Sequence, residues 1–192
     1  MFSSNSGNVG NNAGSLIPKG TLAECKFVIR DTKNSQSTGG MYLDVELVIQ
    51  SGDFANRRVF TKIADPFDQR NSEKWREMGQ SALARIAESA GVFQVGNDES
   101  YAQFNSDENV LRMAEALQGA TVRIKVGVEK GTDGHGDKNS VADWGSPNPD
   151  SNGHRTWSAF DAAPAAPKSA FAPKSAAAAP AKASGTKPAW IK

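Results

Sequence analysis

The chemistry in this chain rests on cations set beside aromatic rings. Arg57-Arg58-Val59-Phe60-Thr61-Lys62 is the densest instance, and Lys26, Arg30, Tyr42, Arg123, Lys125 and Trp144 stand in comparable alternating runs. A cation follows a phosphate backbone while a ring stacks on an unpaired base, at about 1–3 kcal/mol per stacked base, so the mixture suits single-stranded nucleic acid. These side chains act together only if the fold puts them on one surface.

Period-two patterning supplies that surface. Thr21 to Asp31 reads as a strand with Ala23, Cys25, Phe27 and Ile29 on one face and Glu24, Lys26, Val28 and Arg30 on the other. A polar loop from Thr32 to Gly40 leads to a second strand, Met41 to Gln50. Its Leu43, Val45, Leu47 and Ile49 face inward, and Tyr42, Asp44, Glu46 and Gln50 face outward. Ser51-Gly52-Asp53 turns the chain into a third strand, Arg57 to Ile63. Two further strands are expected over Ala120 to Lys130, with Val122, Ile124, Val126 and Val128 inward, and over Asn139 to Gly145, ending at Trp144. On a shared curved sheet, Lys26, Arg30, Tyr42, Arg58, Phe60, Lys62, Arg123 and Lys125 all lie opposite the core, with Trp144 as a further stacking platform.

Helices are inserted between the third and fourth strands. Asp65-Pro66 ends the sheet, because proline cannot donate to a ladder. Ser72 to Ala90 then places Trp75, Met78, Ala82, Leu83, Ile86 and Ala90 on one stripe, with Gly91 at the C-cap. Gly91 to Asn105 reads as a connecting segment. A shorter helix follows from the Ser106-Asp107-Glu108 start, with Val110, Met113, Ala114 and Leu117 at helical spacing. The fold class is therefore mainly β with inserted helices, α+β.

The ends differ from the body. Residues 1–16 are rich in Ser, Asn and Gly, and 148–187 form an Ala/Pro/Lys-rich linker; both compositions predict disorder, leaving one domain over 17–147. The last residues restore two large apolar side chains, Trp190 and Ile191, the layout of a docking tip on a tether. All 21 acidic residues lie at or before Asp161, whereas five of the 22 basic ones follow it, so a net charge of +1 divides into −4 for the body and +5 for the tail. A nucleic-acid site here has to be a local positive face, not a whole-molecule field.

Catalysis finds little support. The two histidines, His135 and His154, stand in Gly-rich polar stretches, and no nucleophile elbow, phosphate-binding Gly-rich loop or Cys/His ligand set is present, so no enzyme is expected. Asp133, His135 and Asp137 do not follow the calcium-loop pattern. Asp44 and Glu46, at i and i+2, offer a nuclease-like carboxylate pair without a lysine on the same strand. The single cysteine, Cys25, is expected to be a buried thiol. Neither a leader nor a long apolar run occurs, so a cytoplasmic protein away from membranes is expected.

Taken as a set, the Ile17-Pro18-Lys19-Gly20-Thr21 opening, the Gly39-Gly40-Met41-Tyr42-Leu43 strand start, the Ser51–Phe60 turn and the helix ending at Ala90-Gly91 resemble a family of phage single-stranded DNA-binding proteins from replication and recombination cassettes. The similarity covers about Ile17 to Pro147. It implies a five-stranded oligonucleotide-binding (OB) barrel that coats exposed single-stranded DNA without strong sequence preference, uses no cofactor and acts in a bacterial host's cytoplasm. Phage or host replication and recombination proteins are the implied partners. The tail departs from the class, in which an acidic tail with a hydrophobic tip is common. The alternative reading is an adaptor that binds such a protein through its barrel and the Trp190-Ile191 tip. Self-association is left open by the sequence.

Overall fold

Alternating apolar residues become five antiparallel strands in the computed structural model, which describes residues 15–102, 113–132 and 136–162. These are β1 (Leu22–Asn34), β2 (Met41–Ile49), β3 (Arg58–Ala64), β4 (Thr121–Glu129) and β5 (Lys138–Trp144). They form one sheet in the order β3-β2-β1-β4-β5. Its edges, β3 and β5, curl round to lie beside each other without a hydrogen-bonded ladder. A five-stranded, partly open antiparallel barrel with a helix between its third and fourth strands is the OB-like α+β architecture.

The inward set is Phe27, Val45, Leu47, Ile49, Val59, Val122, Ile124 and Val126, each at most 2% exposed. Cys25 lies among them as a free thiol, and burial pushes its pKa up to about 12, so it packs as a small apolar residue. The Ile17-Pro18-Lys19-Gly20 opening is fixed to the far edge. Asn139 donates to the Ile17 carbonyl (2.8 Å) and accepts from its amide (2.9 Å), while the Gly20 amide donates to Val126 (2.8 Å).

β1 runs three residues past the expected end. A register shift between Ile29 and Asp31 lets Thr32, Lys33 and Asn34 go on pairing with Leu43, Tyr42 and Met41, so the loop shortens and Lys33 becomes a strand residue.

α1 (Glu73–Ser89) starts at the Ser72 N-cap and stops at Gly91, whose φ of +74° is the left-handed conformation expected there. Its buried face is Gly79, Leu83, Ile86 and Ala87, turned from the expected stripe, so Met78 is 59% exposed. Gly79 sets that rotation. A Cβ on it would stand 2.2 Å from the Ala64 carbonyl oxygen, so the helix rests directly on the end of β3. Before α1, Asp68 accepts from the amides of Met41 (2.7 Å) and Arg70 (3.0 Å). Hydrogen bonds from the Arg70 guanidinium, with those amides, hold its carboxyl far below the usual carboxylate range.

α2 (Asp98–Ala102) lies within the segment read as a connection, and a helix of which 113–117 are described, α3, carries Met113, Ala114 and Leu117 into the core as expected. The signals at Ser106 and Val110 lie outside the described residues. α4 (His154–Ala162) corrects the expected domain boundary at 147, because Trp157 and Phe160 give its nine residues an apolar face to place on β4. The segment between β5 and α4 is held through Glu88, which is 6% exposed and accepts from Tyr101 Oη (2.9 Å), Asn148 Nδ2 (2.9 Å) and Ser146 Oγ. Burial, reinforced by Glu88, raises the Tyr101 phenol to about 12. The neutral phenol is the form favoured by folding, so its contribution is intact below pH 10 and is lost as pH rises towards 12. Tyr101→Phe is therefore expected to remove the late phenolate step from an absorbance titration and to weaken the alkaline dependence of urea unfolding.

Candidate nucleic-acid interface

Cross-strand pairing builds the outward surface in rows, because paired residues of an antiparallel ladder share a face. Lys26, Val48 and Arg58 form one row, and Val28, Glu46 and Phe60 the next. Asp44 and Lys62 form a third, beside the irregularity that carries Arg30 and Asp31. Phe60 stands in the middle of this array and is 48% exposed, with cations on neighbouring rows. The Arg30 guanidinium lies 5.2 Å from its ring centroid.

Cations ring that aromatic centre. Lys26, Arg30, Lys33, Arg58 and Lys62 outnumber Asp31, Asp44 and Glu46, and the carboxylates of Asp44 and Glu46 sit low, only 14% and 12% exposed. Arg58 Nε is 3.2 Å from Glu46, Arg30 bridges towards Glu46 (3.8 Å) and Asp44 (4.0 Å), and Lys33 Nζ is 2.6 Å from Asp44. The hydrogen bond to Asp44 raises the Lys33 pKa. These ion pairs orient the basic heads but bind them weakly, since exposed pairs contribute about 0–1 kcal/mol. A phosphate arriving from solvent can therefore take over the outer hydrogen bonds of Arg30 and Arg58 at small cost. The same cations cover the carboxylate pair that suggested a nuclease. Among the described residues no group of three His, Cys, Asp or Glu side chains could hold a metal ion; Asp133 and His135 lie outside them.

The array opens into a groove of about 810 Å³ between the edge strands, lined by Arg58, Phe60 and Lys62 from one side and Lys138, Asn139 and Ser140 from the other, with Asp44 and Glu129 also in its wall and Glu129 paired to Lys138 at 3.3 Å. Lys33 and Lys138 join the site although neither was expected there. Lys33 lay in a stretch read as loop, and Lys138 beside the glycines of a hairpin tip; the period of β5 extended by one residue reaches Lys138, whereas the same extension of β1 turns Lys33 inward and only the register shift between Ile29 and Asp31 brings it to the outer face.

Five of the expected side chains thus meet on one face: Lys26, Arg30, Arg58, Phe60 and Lys62. Tyr42 has the expected outward parity but is only 8% exposed. Trp75 of α1 packs on its ring at 6.0 Å, and Lys62 Nζ lies 4.9 Å from its centroid, so it supports Lys62 and offers no open stacking face. Arg123 is consumed within the protein. It lies under Trp157 (4.2 Å) and Phe160 (5.1 Å) and pairs with Glu24 and Asp161, both at 3.1 Å. Lys125 is exposed, but the Leu22–Lys125 row lies two rows along β1 from the Lys26 row, past the Glu24–Arg123 row that α4 covers. Trp144 corrects the stacking expectation. It is 8% exposed and packs against Phe27 at 6.5 Å, because the ladder skips Ala142 between Val126↔Val141 and Lys125↔Asp143, which reverses the parity of the strand end. Trp190 and Ile191 lie outside the described residues.

No helix among the described residues is long and apolar enough to cross a membrane. No family model matches the chain, and no curated protein matches it. Among solved structures, "Yeast RPA bound to ssDNA" is similar with a TM-score of 0.33 and 7% identity, covering 84% of this chain and 96% of that chain. At that TM-score the likeness carries no argument about function.

Proposed function

We propose that this chain is a non-catalytic single-stranded DNA-binding protein that holds its strand across the β1-β2-β3 face. The observation that carries this reading is Phe60, an exposed ring at the centre of a basic array, where burial has no use for it and a base does. Arg30, Arg58, Lys62 and Lys26 take the phosphates, and stacking on Phe60 is indifferent to base identity because every base has a π face. Duplex DNA hides its bases from such a ring and gains only the electrostatic part. The sequence resemblance described above supports the finer role, coating exposed strands during phage DNA replication or recombination.

Oligo-dT, duplex DNA and RNA of equal length, compared at two salt concentrations, test the reading. Oligo-dT is expected to bind more tightly than duplex, with log affinity falling linearly in log salt; duplex binding as tight as oligo-dT binding sinks it. The combined Arg58→Ala, Lys62→Ala variant should reduce that slope by about 1.4, two contacts at about 0.7 each. An unchanged slope removes both residues from the phosphate path.

A further inference from the structure

Lys125 was expected beside Phe60, and its actual surroundings form a second basic site. It lines a groove of about 690 Å³ between α4 and the outer side of β1, β4 and β5, together with Lys19 and Arg155. The one carboxylate lining this groove among the described residues, Asp143, is already engaged: its Oδ1 accepts from Arg85 Nη1 (2.9 Å) and its Oδ2 from the Thr156 hydroxyl (2.6 Å). Lys19, Lys125 and Arg155 have no carboxylate at ion-pairing distance among the described residues. Three uncompensated cations in one concave wall repel one another, and concavity focuses their field on whatever enters.

We infer that this groove is a second phosphate-binding site, which takes the backbone of the same strand after it leaves the Phe60 face. The inference rests on the single-strand reading above. α4 stands over the Glu24–Arg123 row, with Arg123 under Trp157 and Phe160, so along β1 it separates the Lys26 row of the Phe60 face from the Leu22–Lys125 row of the groove. Short strands fill only the Phe60 face, where the stacking ring is. Longer ones pass α4 and reach the groove, which holds phosphates and no base, since no aromatic side chain lines it.

The experiment compares oligo-dT of about 8 and about 30 nucleotides, inside and beyond the span of one OB fold, on the wild type, Phe60→Ala, and the combined Lys125→Ala, Arg155→Ala variant. The double variant is expected to bind the short strand as the wild type does and to lose about 1.4 from the salt slope on the long strand alone. An unchanged slope on the long strand, or equal losses at both lengths, overturns the second site while the Phe60 effect stands. If the wild type binds neither strand, or Phe60→Ala binds both unchanged, the single-strand reading itself fails. Inorganic pyrophosphate that binds the groove without diminishing the long strand's extra affinity assigns it to a free anion and overturns the strand as its ligand.

Discussion

Phe60→Ala is expected to weaken binding of oligo-dT by about 5- to 150-fold, the equivalent of the roughly 1–3 kcal/mol that one base gains by stacking on an aromatic side chain. The loss should be insensitive to salt, because a ring contributes no counterion release, whereas the Arg58 and Lys62 effect is carried by salt. Stability should change little. Phe60 is 48% exposed, and its best internal contact is the Arg30 guanidinium at 5.2 Å, an exposed cation–π pair of about 0.5–1 kcal/mol. Phe60→Trp should keep or strengthen binding, and Phe60→Leu should behave like alanine, since leucine keeps apolar volume and lacks a π face. Fluorescence anisotropy at two salt concentrations reads all three variants. Leucine binding as well as phenylalanine would show that apolar contact, not stacking, operates at this position.

Gly79→Ala is expected to destabilise the protein by about 2 kcal/mol, although alanine is the better helix former by about 1 kcal/mol. The new methyl would stand 2.2 Å from the Ala64 carbonyl oxygen and 3.0 Å from its carbon, both backbone atoms that no rotamer can move. α1 must lift from β3, and forced overpacking of this kind costs about 1–3 kcal/mol or more. Lifting also disturbs Trp75, which covers Tyr42 beneath Lys62, so strand affinity should fall with stability. Gln80→Ala is the control. It is exposed on the same helix and should be neutral or slightly stabilising in urea unfolding. Equal stability of the two variants would contradict the close approach of α1 to β3.

Side-chain parity made most of the barrel legible from the sequence. In Phe27, Val45, Leu47, Ile124 and Val126 the two-residue period is unbroken, and each lies inward as expected. The same period found Arg30, Arg58, Phe60 and Lys62 on one outer face. It failed at the two places where a strand carries an extra residue, and the first, between Ile29 and Asp31, turns Lys33 outward. Ala142 adds a residue to β5 and turns Trp144 from the outside to the core, which no local composition announces. Helix rotation failed similarly, since Gly79 has no apolar signal and yet decides which side of α1 meets the sheet.

The amino-acid order by itself determined which residues alternate, where the chain turns, and that rings and cations share the outer side of β1, β2 and β3, because those properties are set by neighbours along the chain. Tertiary structure alone decided which outer residues remain available. Trp75 covers Tyr42, Trp157 and Phe160 cover Arg123, and α4 parts Lys125 from Phe60, each through an element distant in sequence from the residue it covers or displaces. Alternation gives a side chain its direction; its exposure depends on what the rest of the chain packs on top of it.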